Sequence, residues 1–216
     1  MYRPILTFAL LIALSTGCAD RGSSSDEAPA ADGAGEENPA PAAAPEFAPI
    51  TTHGGGTGGG GTEVTLPGAT FELPGDWQQQ APSSSMRAAQ AEIPGAAGAG
   101  QLTVFFFGVG GGGGTESNLQ RWIGQVEVDP ASPPVREVFS GDGTRVSWVE
   151  ARGTLKPSTM GTGPTSPQPD SMLLGGVVEG AGGPWYFKAT GPGATMEAQK
   201  DAFLAMLGSV KPAAGG

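Results

Sequence analysis

The stretch QLTVFFFGVGGGGGTESNLQRWIGQV, residues 101–126, decides how the fold is read. Its first seven residues alternate and then become wholly apolar. This predicts a strand over 101–107, central in its sheet and buried on both faces. After the glycines, Leu119, Trp122, Ile123 and Val126 recur at i, i+3, i+4 and i+7, one face of a helix. Ser117 and Gln120 have the spacing of a capping box, and Glu116 suits the positive helix start. The helix should end before Pro130.

Between strand and helix, Gly108–Gly113 satisfies G-x-G-x-x-G. A run of glycines satisfies that pattern automatically. Dinucleotide binding also needs a following parallel βαβ unit and an acid about 20 residues beyond. Here Glu127 and Asp129 fall near the helix end and a hairpin follows, while no Gly-Lys-Ser/Thr completes a phosphate loop. The run therefore reads as a flexible strand-to-helix loop, not a nucleotide site. Its amides could still hold a simple anion, with Glu116 opposing.

Outward from this stretch, residues 62–66 and 69–77 read as strands, the second turning at Pro74-Gly75 to deliver Trp77. Residues 85–93 alternate weakly. Residues 135–155 read as a hairpin turning at 140–143, and 156–171 as a Pro/Ser/Thr loop. Residues 172–180 and 184–190 form another hairpin. Met196, Phe203, Met206, Leu207 and Val210 mark a C-terminal helix, with Thr195 as N-cap, Gly208 as its stop and Pro212 beyond. The class is α+β, a mostly antiparallel sheet flanked by two helices that follow the fourth and eighth strands.

The ends carry different information. Ile5–Leu14 is a signal-peptide-like apolar core, too short to span a bilayer, and Ser15-Thr16-Gly17 precedes Cys18, the only cysteine. Residues 1–17 are expected to be a lipoprotein signal peptide and Cys18 the lipidation site. The thiol would take a diacylglyceryl group and the new amino terminus an acyl chain such as palmitate. Two or three chains anchor a protein stably where one does not. Residues 18–61, rich in Ala, Pro, Gly and acids, form a tether that buries too little apolar surface to order. The domain then covers 62–211, and 212–216 is a disordered tail. The expected location is the cell envelope, on the exported side of a membrane.

Composition excludes several functions. One cysteine allows neither an internal disulfide nor a cysteine-based zinc site. The formal net charge of −10 disfavours nucleic acid. His53, the single histidine, opens His-Gly-Gly-Gly inside the tether, and no Gly-x-Ser-x-Gly elbow accompanies it. No EF-hand loop is present, and no metal or cofactor is expected. Glu72 with Asp76 and Asp129 with Glu137 are acid pairs without a fixed separation that would make them glycosidase carboxylates.

The most suggestive polar set is Asn118, Arg121 and Gln125, on one stripe of the helix beside its apolar face. It reads as a recognition patch that Lys188 and Arg87 could join, against the plainer reading of a helix face satisfying nearby polar groups. Tyr186, Lys188 and Thr190 share one face of a strand, which reads as solvated. Trp77 and Trp148 read as core.

The string Thr70-Phe71-Glu72-Leu73-Pro74-Gly75-Asp76-Trp77 at the front of such a domain resembles the opening of the PsbP/Mog1-like fold. Trp77, Met86-Arg87, Phe107-Gly108, Asn118, Arg121-Trp122, Gln125, Phe187-Lys188 and Gly191-Pro192 are also similar to lipoproteins of planctomycete-type bacteria. The resemblance covers residues 62–211. It implies an α/β/α sandwich and a non-catalytic accessory or partner-binding role. The expected function is thus a lipid-anchored, non-enzymatic envelope protein whose domain binds a protein partner or a small ligand. An envelope hydrolase or carbohydrate-active domain is the alternative.

Overall fold

A computed structural model describes residues 61–141, 143–158 and 163–213. The signal peptide, Cys18, the tether up to residue 60 and the last three residues of the tail lie outside them. The strands are β1 (Thr62–Leu66), β2 (Ala69–Leu73), β3 (Gln78–Gln80), β4 (Ala89–Ile93) and β5 (Gly100–Phe106). Helix α1 (Thr115–Ile123) precedes β6 (Val126–Val128), β7 (Val135–Ser140), β8 (Arg145–Leu155), β9 (Gln168–Gly180) and β10 (Gly183–Pro192). Helices α2 (Gly193–Ala198) and α3 (Lys200–Gly208) lead to a short β11 (Lys211–Pro212).

All strand pairs are antiparallel. The main sheet runs β3-β4-β5-β10-β9-β8-β6, with β7 also on β8, and a small sheet runs β1-β2-β11. The class is α+β with a mostly antiparallel sheet, as the hairpin spacing predicts. β9 and β10 register from Gly180 with Gly183 to Ser171 with Pro192, and form the long centre of the sheet.

The two faces of that sheet are covered differently. On one, Trp185, Phe187, Ala189 and Val178 pack with Phe71 of the small sheet and with Met196, Phe203, Met206 and Leu207 of the C-terminal helices. Trp77 and Trp148 are buried in this layer, as their pattern predicts. On the other, α1 lays Leu119 and Trp122 against Val149, Leu173, Val177 and Tyr186. Burying an aromatic of this size contributes about 2–3 kcal/mol. α1 is only nine residues long and covers part of its face. The rest, over β4, β5 and β10, remains open.

Several local expectations change. β5 is central, but its burial centres on Leu102, Thr103 and Val104, whereas Phe105 and Phe106 are half-buried and Phe107 is 45% exposed. Phe105 and Phe106 still pair with Tyr186 and Trp185, and only Phe107 leaves the sheet, where it supports the glycine loop. Only Ala89–Ile93 of the expected 85–93 strand pairs, because Arg87 sits in a turn closed by its amide on Ser84. The strand β3 was hidden in three glutamines without alternation.

The first helix starts at Gly114–Thr115, two residues before Ser117, so Ser117 and Gln120 form no capping box and no side chain caps the start. It stops at Ile123, and Val126 belongs to β6, paired with Leu155. The C-terminal helix is two helices broken at Gln199, whose amide is engaged in tertiary contacts. It accepts from Trp77 Nε1 at 2.9 Å and donates to Asp76 and to the Pro94 carbonyl. Thr195 is not an N-cap. It lies buried within α2 and its hydroxyl donates to the Gly98 carbonyl at 2.8 Å. Pro212, expected in the disordered tail, pairs with Ala69 in β11.

Candidate functional site

Strand register builds the site's floor. Gln80 pairs with Gln90, Gln90 with Thr103, and Thr103 with Lys188, so four polar side chains form a row across β3, β4, β5 and β10. The next row runs Glu92, Gln101 and Thr190. Alternation places both rows on the α1 side of the sheet. The result is a groove of about 1230 Å³, open to solvent, whose sides include Arg87 and the end of α1 with Arg121 and Gln125.

Four of the five residues singled out in the sequence line this groove: Arg87, Arg121, Gln125 and Lys188. The fifth, Asn118, is buried at 2% exposure and works from behind. Its amide donates to the carbonyls of Gly112 and Gly114, each at 2.9 Å, and its carbonyl accepts from Arg121. Gln125 lies beyond the helix, not on its stripe. It still reaches the groove, where its side-chain carbonyl accepts from Lys188 Nζ at 3.2 Å.

Lys188 and Tyr186 are not on a solvated face. Tyr186 is buried under α1, and its hydroxyl lies 3.1 and 2.9 Å from the carbonyls of Gly111 and Gly113, to which it donates. Lys188 is half-buried beside it. Burial pulls the Lys188 ammonium down to about 8, and the charges of Arg87 and Arg121 add to the effect. Burial likewise raises Tyr186 above its ordinary value, with Arg121 opposing.

Arg87 is 7% exposed. Its Nη1 donates to Gln90 Oε1 at 2.6 Å, and the Gln90 amide donates to Gln80, which donates to Glu92. Among the described residues its Nε has no hydrogen-bond partner. Desolvation lowers its pKa. Among the described residues, neither Arg87, Arg121 nor Lys188 forms an ion pair. The acid lining the groove is Asp170, which is exposed at its rim and has the only positive φ of a described non-glycine residue. A chain of strong negative charge thus gathers these three cations in a groove whose floor acid, Glu92, is engaged by Gln80.

The glycine loop has another task. Its carbonyls, not its amides, meet Tyr186 and Asn118. Gly112 has φ +77°, and a Cβ there would strike the rings of Tyr186 and Phe107. The loop is therefore a shaped plug holding α1 to the sheet, rather than the flexible connection its composition predicts.

Sequence reasoning missed the glutamines. Gln80, Gln90 and Gln101 meet only through register, and a single sequence does not reveal which strands are neighbours. The sole local signal is Gln90 and Glu92 on the same side of a weakly alternating strand.

No family model matches the chain, and no curated protein matches it. Among solved structures, one that is similar is a Pseudomonas aeruginosa protein of unknown function, PA94, described as a candidate regulator. It is 14% identical, covers 73% of this chain and 100% of its own, and superposes with a TM-score of 0.41.

Proposed function

We propose that this chain is a lipid-anchored, non-enzymatic binding protein of the cell envelope, held to a membrane through Cys18 by its acidic tether. Its domain, in a PsbP/Mog1-like α/β/α arrangement, takes a small ligand or a segment of a protein partner in the groove beside α1. One observation carries the binding reading. Arg87, Arg121 and Lys188, far apart in sequence, converge without ion pairs on a floor of amides and hydroxyls. Unpaired cations on a polar floor are costly to keep, and binding gives them a use. The arrangement reading is supported by α1 on one face of the sheet and α2 and α3 on the other. A hydrolase would need a carboxylate beside Lys188; Asp170 lines the groove at its rim, and Glu92 of the floor row is engaged by Gln80.

The test is a photo-crosslinking amino acid at Thr190 in the full-length, cell-expressed protein. A specific adduct that disappears in Arg121→Gln, and is absent when the crosslinker stands at Glu63, supports the reading. Identical labelling from both positions overturns it. Lipid attachment is tested separately by palmitate labelling, which should be lost in Cys18→Ala.

A further inference from the structure

We infer that the groove takes an anionic polyol, a small hydroxylated molecule carrying one phosphate or carboxylate. This rests on the binding reading above and narrows it to a ligand class.

The charged end follows from the cations. Arg87 is buried, fixed by Gln90, and lines the groove. Arg121 is held from behind by buried Asn118. Lys188 lines the same groove from β10, and its ammonium donates to Gln125. A guanidinium fixed by a neutral amide keeps its whole charge for a guest, whereas one paired with a carboxylate does not. An oxyanion satisfies all three at once. A neutral guest would leave the charges buried more deeply and still unpaired.

The body follows from the floor and the volume. About 1230 Å³ is far more than one oxyanion needs. Beside Lys188 the floor continues as Gln101 and Thr190, offering an amide and a hydroxyl, while the Thr103 hydroxyl is already given to the Lys188 carbonyl. Such a surface matches hydroxyl groups, which both donate and accept. Tyr186 and Trp122, which could have stacked on an aromatic guest, are buried between α1 and the sheet. A sugar phosphate or a sugar acid fits both parts. An acidic peptide would meet the same cations but would leave the hydroxyl-matching floor without partners.

The experiment is calorimetric titration of the full-length protein in detergent. The probes are glucose 6-phosphate, galacturonate, glucose and an Asp/Glu hexapeptide. The expected result is saturable binding of at least one of the first two, and none by glucose or the peptide. Which of the two binds more tightly separates phosphate from carboxylate. Arg121→Gln, an exposed position that leaves the core untouched, should weaken binding about 10- to 100-fold. Lys211→Met, outside the groove, should leave it unchanged. Failure of both anionic probes, equal binding of glucose, tighter binding of the peptide, or an undiminished affinity in Arg121→Gln would overturn the inference. If the Thr190 crosslink is still specific in that case, the groove binds something else and the broader reading stands. If that crosslink also fails, both fall.

Discussion

Trp122 packs on Gly175 so closely that a Cβ at Gly175 would overlap the six-membered ring of the indole. Its neighbour Gly176 makes the same allowance for Leu207 on the opposite face. Two consecutive glycines in the middle of a buried strand thus let a helix approach each side of the sheet backbone. Gly175→Ala should therefore lift α1 and cost about 1–3 kcal/mol through overpacking. Urea unfolding measures it. Gly114→Ala, at a normal φ with open space around its Cβ, should change stability by less than about 1 kcal/mol. Equal losses in both variants would show that the indole contact is not the cause.

Asn118 binds the glycine loop and Arg121 with different atoms, and substitutions can separate them. Asn118→Ala removes the donors to Gly112 and Gly114 and leaves those carbonyls short of partners, costing about 1–3 kcal/mol. Asn118→Asp keeps an acceptor for Arg121 but turns an oxygen toward the carbonyls. It should destabilise as well, and it adds an acid behind the groove. Thermal unfolding should therefore rank both below wild type. An unchanged midpoint in Asn118→Asp would mean that the loop does not depend on these donors.

The elements that carry local periodicity were legible in the sequence, and those set by pairing were not. Val135–Leu155 announces its hairpin through alternation around a Gly-rich turn. Leu119 and Trp122 announce a helix face. Gln78–Gln80 announces nothing, because its strand exists only through pairing with β4. Gln125 and Val126 continue the helical spacing by coincidence, since Gly124 ends the helix and β8 pairs with Val126–Val128. The groove was half legible. Arg121 and Gln125 were grouped for their helical stripe, but Arg87 and Lys188 join them through sheet register, a long-range property.

Glu150 ties β8 to the C-terminal helices. Its carboxylate accepts from Arg152 Nε at 2.5 Å and from Lys200 at 3.3 Å, and Arg152 also reaches Glu197. The hydrogen bond from Arg152 to Glu150 is the first cause of the raised Arg152 pKa. The Glu150 side chain is only 7% exposed, while both its partners remain partly hydrated. Glu150→Gln should cost about 1–2 kcal/mol, less than a fully buried pair, because the cations left behind can turn to water. Because the carboxylate is shielded, most of that loss should persist in 1 M salt. A loss that vanishes there would place the network among ordinary surface pairs.

Lys188 gives the clearest sign test. Its folded value of about 8 lies below the ordinary 10.5, so the native state sheds this proton before the unfolded chain does. Below about pH 8 both states carry the ammonium, and the native state bears its full desolvation beside Arg87 and Arg121. From about 8 to 10.5 the unfolded chain binds more protons, so this group makes stability rise with pH; above 10.5 the rise is complete. The gain is about 1–3 kcal/mol, set by the depression and reduced by the partial exposure of Lys188. The readout is the difference between wild type and Lys188→Met. Lys188→Met should be more stable than wild type at pH 7, despite losing its bond to Gln125, and that advantage should shrink as pH rises toward 10.5. Unfolding in urea at pH 7, 8.5 and 10 measures it. A variant less stable than wild type at pH 7, or a difference that does not change with pH, would mean that Lys188 is held by compensating partners and is not kept charged against its surroundings.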